Sequence, residues 1–264
     1  METAGLRAQR LLRHPRGMTE HFDSFDGQSI AIHRAGAGRP VLLLHGFIAN
    51  ARLNWFEPGI AEALAEAGFE VIAPDLRGHG ESAAPEEASA WPGDVLALDQ
   101  AALVRHLGLT DYDLVGYSLG ARTAVRFMVG GARPRRCVLG GMGDSGVMQA
   151  GARAAMFEDS IRNGEKAKDP RAGKYIQARI KAGGFNARAL LGVLNSFMPT
   201  TAQDLACLDV PTLVVCGEDD ADNGSAEKLA MAMPNARAVR VPGDHLTAVA
   251  EPALAKAMVE FLTA

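Results

Sequence analysis

Ser118 stands in the pentapeptide Gly116-Tyr117-Ser118-Leu119-Gly120, at the end of a short strand-like segment. A serine hydroxyl is a weak nucleophile until a base takes its proton, and the base in turn needs an orienting carboxylate. The base must come from seven histidines. His14, His21, His33 and His106 lie in a tail, on edge strands or on a helix, where surface positions are expected. His245, in "RVPGDHLTAV", falls between the last strand-like segment and the last helix. That is the same carboxyl edge of a sheet on which Ser118 would sit. For the acid, "VVCGEDDADN" follows another strand and gathers Glu218, Asp219, Asp220 and Asp222 in one loop. A pentapeptide alone decides nothing, because a serine there can also do no more than cap the following helix. Its surroundings must decide.

Those surroundings alternate between strand and helix. His21–Phe25 and Gln28–Arg34, joined by Asp26-Gly27, predict a β-hairpin at the sheet edge. "PVLLLHG" (40–46) and "FEVIAPD" (69–75) are apolar runs of the kind buried on both faces of a sheet. "YDLVG", "RRCVLGG", "VPTLVVCG" and "ARAVRVPG" continue the series. Between them, Trp55, Phe56, Ile60 and Leu64, then Val95, Leu98 and Ala102, then 118–129, recur at helical spacing, and Leu254, Met258, Phe261 and Leu262 mark a closing helix. The pattern predicts an α/β fold with a mostly parallel sheet and helices on both faces. One stretch departs from it. Residues 145–205 show no strand signal and are rich in Met and Phe, so they read as a small helical cap inserted into a core made of 21–144 and 206–264. Residues 1–20 read as a flexible, arginine-bearing N-terminal extension without the apolar centre of a secretory signal.

Composition narrows the function classes. A net charge of −4 gives no reason to expect nucleic acid as a partner, and no apolar run is long enough to span a bilayer. Cys137, Cys207 and Cys216 are odd in number and widely spaced, which predicts reduced, buried thiols in a cytoplasmic protein and no metal site. Gly141-Met142-Gly143-Asp144-Ser145-Gly146 matches a dinucleotide-binding G-x-G-x-x-G, but no second strand and acid follow at the required distance. No cofactor is expected.

Four motifs in order, "HGF" (45–47), "DLRGHGES" (75–82), "GYSLG" (116–120) and "PTLVVCGEDD…PGDHL" (211–245), make the chain resemble the α/β-hydrolases from near Phe22 to its end. The resemblance implies Ser118 as nucleophile, His245 as base and Asp220, three residues after the glycine closing its strand, as acid. Asp219 and Asp222 stay open as alternatives, as does Asp144 one strand earlier. It also implies an oxyanion hole from the backbone N–H groups of Phe47 and Leu119. His45, His79 and Asp75 fall in the family's loop motifs and are expected to anchor those loops.

The expected function is therefore hydrolysis of a carboxylic ester or related acyl bond of an apolar, medium-sized small molecule. Lactonases, carbon–carbon bond hydrolases and perhydrolases use the same three residues. Similar dehalogenases and epoxide hydrolases carry Asp in place of Ser118. A ligand-binding or signalling protein on the same scaffold would be marked by a degraded triad, and none is seen. Nine Lys/Arg against five Asp/Glu between 150 and 205 fit either a solvated basic face or an anionic substrate.

Overall fold

The computed structural model describes residues 19–264. The extension expected over 1–20 lies, up to residue 18, outside the described residues, and Glu20 already belongs to the first strand.

Eight strands form one sheet: β1 (Glu20–Asp23), β2 (Ser29–Gly36), β3 (Arg39–Leu44), β4 (Phe69–Pro74), β5 (Asp113–Tyr117), β6 (Cys137–Gly140), β7 (Thr212–Gly217) and β8 (Ala236–Val241). Their order is β1-β2-β4-β3-β5-β6-β7-β8. The hairpin β1–β2 joins β4 antiparallel, and all later pairings are parallel. The hairpin turn carries Gly27 at φ 80°, a backbone conformation that costs glycine nothing.

The strands that looked apolar throughout are apolar because both faces are covered. Leu42, Leu44, Ile72, Leu114, Leu139 and Val214 point to one face, beneath α2 (Val95–His106) and α3 (Leu119–Val129). Their alternate neighbours Val41, Leu43, Val71, Val115, Val138 and Leu213 point to the other, against α1 (Ile60–Glu66) and α9 (Pro252–Thr263). The period-2 alternation of strand side chains divides one apolar run between two cores. Burial of each such aliphatic side chain contributes about 1.5–3 kcal/mol, so these strands carry much of the fold's stability.

The helical stretch before β7 comprises α4 (Asp144–Met148), α5 (Ala150–Asn163), α6 (Pro170–Gly183), α7 (Ala187–Asn195) and α8 (Ala202–Ala206). Three of its helix starts are encoded locally by a capping side chain. Asp169 accepts from the N–H groups of Arg171 and Ala172, with Pro170 at the first position. Asn186 caps α7 in the same way, and Thr201 with Asp204 forms a capping box on α8. Ile161, Ile176, Leu190 and Leu194 from these helices close a third apolar cluster on Ile48, in the loop after β3.

Two expectations need correction. Cys207 is exposed, whereas Cys137 and Cys216 are buried as expected. Cys207 follows the short helix α8 at the surface, where no sheet covers it. The helix expected through Trp55, Phe56, Ile60 and Leu64 is broken: Arg52–Phe56 form a single π turn, and Gly59 at φ 81° separates it from α1.

Candidate active site

β3 lies between β4 and β5 in the sheet, so the chain leaves β3 towards one neighbour and returns on the other side. Such a reversal opens a crevice at the carboxyl ends of the strands. The loop after β3 and the turn after β5 meet there.

Ser118 occupies that turn at φ 52°, ψ −113°, a strained conformation for a residue with a Cβ. Its N–H donates to the Gly140 carbonyl at 2.8 Å, which holds the turn against β6. The flanking glycines are a steric necessity. A Cβ on Gly120 would lie 1.8 Å from the Leu44 carbonyl oxygen, and one on Gly116 would lie 2.3 Å from that of Gly120. Only hydrogen at these positions lets α3 start directly on the strand.

His245, in the loop after β8, places Nε2 3.0 Å from Ser118 Oγ. Its Nδ1 lies 2.9 Å from Asp220 Oδ2. With Nδ1–H donating to the carboxylate, Nε2 is free to accept the serine proton. Two loops are clasped to make this possible. Glu218 N–H donates to the Val241 carbonyl at 2.7 Å, and Asp219 N–H donates to the Gly243 carbonyl at 3.1 Å. The Tyr117 hydroxyl, next to Ser118 in sequence, donates to the His245 carbonyl at 2.8 Å.

Asp220 is buried and accepts from Asp222 N–H at 3.1 Å. Burial opposes its ionisation, yet the His245 hydrogen bond and charge hold its carboxyl below the usual range. The other candidate acids point elsewhere. Asp219 is exposed; Asp222 pairs with Arg153 at 3.0 Å; Asp144 accepts from Ser225 N–H at 2.8 Å.

Leu119 opens α3 immediately after Ser118, with its N–H at the positive end of the helix. Phe47 follows Gly46, where a Cβ would lie 3.6 Å from that of Ser118. The loop carrying Phe47 is pinned by neutral histidines. His45 Nδ1 donates to the Gly46 carbonyl at 2.8 Å while its Nε2 accepts from Leu76 N–H at 2.8 Å. His79 Nε2 accepts from Ile48 N–H at 3.3 Å, and its Nδ1 donates to the Arg77 carbonyl at 3.2 Å. Ile48 sits at φ 52°, unusual for a β-branched residue, so the strain beside Phe47 is held in place from both loops. Asp75 accepts from Ala51 N–H and Glu81 N–H, each at 2.8 Å, and from His33 Nε2 at 3.1 Å. Burial works against its ionisation, but these hydrogen bonds and the neighbouring histidines bring its carboxyl to about 2. His33 is therefore not a free surface residue; no sequence signal tied it to an aspartate 42 positions away.

Phe47, Leu119, Met142, Phe157, Leu194 and Phe197 line the cleft beside Ser118, which holds about 390 Å³ of atom-free space including its open mouth. Arg122 and Arg153 also reach it. Sequence reasoning did not find Arg122, although its position one helical turn after Ser118 was a usable signal. Among the described residues no cluster of three or more His, Cys, Asp or Glu side chains could hold a metal ion. The glycines of the 141–146 motif have a packing reason: a Cβ on Gly143 would meet the Gly224 backbone at 2.4 Å, and one on Gly146 the Asn223 side chain at 2.8 Å.

Comparison with known proteins agrees with this architecture. Residues 41–257 match the model of the alpha/beta hydrolase family. A non-heme haloperoxidase of Rhodococcus erythropolis is 30% identical over 83% of this chain and 89% of its own. A non-heme chloroperoxidase of Kitasatospora aureofaciens is 32% identical over 80% and 86%. The structure of a thermophilic esterase from Thermogutta terrifontis superposes with a TM-score of 0.69 and 27% identity, covering 94% of this chain and 98% of that one. No helix among the described residues is long and apolar enough to cross a membrane. With a match across most of its length and a sheet of the same plan, the chain belongs to the alpha/beta hydrolase family.

Proposed function

We propose that the protein is a serine hydrolase that cleaves a small carboxylic ester through an acyl-enzyme, with Ser118 as nucleophile, His245 as general base and Asp220 as its orienting acid. The observation that carries this reading is the continuous hydrogen-bond line from Ser118 Oγ through His245 to Asp220, at 3.0 and 2.9 Å. Ser118 Oγ attacks the acyl carbon as its proton passes to His245 Nε2. The oxyanion of the tetrahedral intermediate is held by the N–H groups of Phe47 and Leu119; losing one such donor typically costs about 10²–10³ in rate. The intermediate collapses, the alcohol leaves with the proton from His245, and the acyl group stays on Ser118. Water, deprotonated by the same imidazole, then attacks the acyl carbon, and the acid is released as Ser118 Oγ takes the proton back from His245. Helices α4–α8 act as the cap over this cleft. Phe157, Leu194 and Phe197 from that segment give it an apolar wall suited to a hydrophobic part of the substrate.

The relatives named haloperoxidases support a second outcome for the same intermediate. Hydrogen peroxide in place of water would release a peracid, by the same attack on the acyl carbon and the same proton transfer. Hydrolysis of p-nitrophenyl acetate and butyrate tests the common first step. The wild type is expected to turn both over, and Ser118→Ala to abolish turnover with its circular dichroism intact. An inactive wild type on short esters would overturn the reading.

A further inference from the structure

Arg77 and Arg122 are the two arginines buried among the described residues, and they are treated differently. Arg77 is met by two carboxylates, Asp26 at 2.6 Å and Asp99 at 2.6 Å. Arg122, 5% exposed, has no carboxylate among its described hydrogen-bond or ion-pair partners. One Nη donates to the Val147 carbonyl at 2.8 Å and the other to the Met198 carbonyl. The Phe197 ring lies 4.7 Å from the guanidinium carbon. Asp94, whose charge acts on it, is already engaged through both carboxylate oxygens by Arg126, Nε on Oδ1 and Nη2 on Oδ2. A buried cation without a counter-charge is costly, and evolution normally supplies one.

The position of that charge matters. Arg122 lies one turn after Ser118 on α3, its N–H bonded to the Ser118 carbonyl at 3.0 Å, and it lines the same cleft. The other arginine there, Arg153, has its charge balanced by Asp222. Arginine offers five N–H donors in a planar fork matched to a carboxylate, and the two carbonyls use only part of that set. Burial lowers Arg122 to about 10, which leaves it protonated at neutral pH.

We propose that Arg122 recognises a carboxylate on the substrate, so that the enzyme cleaves carboxylate-bearing esters in preference to their neutral counterparts. This rests on the serine hydrolase reading of Ser118 and names its substrate class. A charge-assisted contact of this kind corresponds to about a 10- to 100-fold preference in kcat/KM.

The test compares matched pairs on the full chain: mono-p-nitrophenyl adipate against p-nitrophenyl hexanoate for a carboxylate on the acyl side, and 4-acetoxybenzoate against 4-acetoxybenzamide for one on the alcohol side. The anionic member of at least one pair is expected to win by about tenfold or more, and that ratio to fall by about 10- to 100-fold in Arg122→Met and less in Arg122→Lys. Because Arg122 also ties α3 to the ends of the helical segment, a measurement independent of any variant is added. Adipate is expected to inhibit the wild type competitively, and adipamide to do so at least tenfold more weakly. Neutral esters favoured in both pairs, equal inhibition by adipate and adipamide, or a ratio unchanged in Arg122→Met would each overturn the proposal. If the wild type cleaves neutral esters, the role of Ser118 survives that result; if it cleaves none of the four, the serine hydrolase reading fails first.

Discussion

His79 gives a prediction whose size follows from the structure. Its ring is buried and neutral, with Nε2 accepting from Ile48 N–H beside Phe47. Burial, reinforced by the nearby His45, lowers it from 6.5 to about 3. Below pH 6.5 the unfolded chain takes up a proton here that the folded protein refuses until about pH 3. The unfolded state therefore binds more protons across that window, and stability falls as pH falls. The slope approaches about 1.4 kcal/mol per pH unit, and integration from pH 7 to pH 5 gives about 2 kcal/mol from this one group. His79→Gln keeps an acceptor but cannot titrate. Urea unfolding at pH 7, 6 and 5 is expected to show the wild type losing about 2 kcal/mol more than the variant between the two extremes. His45, lowered by its own burial, adds to the acid sensitivity of both proteins alike. Parallel stability–pH curves for wild type and variant would refute the assignment of His79 as a neutral loop anchor.

Replacing Asp220 by Asn leaves the His245 contact sterically possible but removes the charge that holds the imidazole tautomer; kcat is expected to fall by about 10³–10⁴. Asp144→Asn, which alters only a bond to Ser225 N–H, is expected to cost less than tenfold, and steady-state kinetics on p-nitrophenyl butyrate separates the two. Gly120→Ala would force a Cβ to within 1.8 Å of the Leu44 carbonyl oxygen, so thermal unfolding is expected to show a loss of at least about 3 kcal/mol or no folded protein.

The sheet was readable in the sequence because burial on both faces leaves a continuous apolar signature, as in Val41–Leu44, each 0% exposed. The turn at Ser118 was readable because two glycines at fixed spacing answer a steric demand of the backbone. Asp220 was reached through family resemblance, and its neighbours in the loop stayed open as alternatives. What separates them is direction: Asp219 faces solvent and Asp222 turns to Arg153, and neither direction is encoded in composition or period. His33 escaped for the same reason, and Arg122, although its spacing from Ser118 was a signal, escaped because its partners Val147 and Met198 were not legible. Their importance lies in which groups surround them, and those groups come from distant segments of the chain. The π turn at Arg52–Phe56 was hidden because its apolar spacing imitates an ordinary helix until Gly59 interrupts it.

The most direct measurement is covalent labelling with a fluorophosphonate, followed by intact-mass analysis and peptide mapping. One adduct per chain on Ser118 is expected, absent in Ser118→Ala and slowed at least a hundredfold in His245→Ala. A wild type that takes no label, or takes it at another residue, would contradict the assignment of Ser118 as a nucleophile activated by His245.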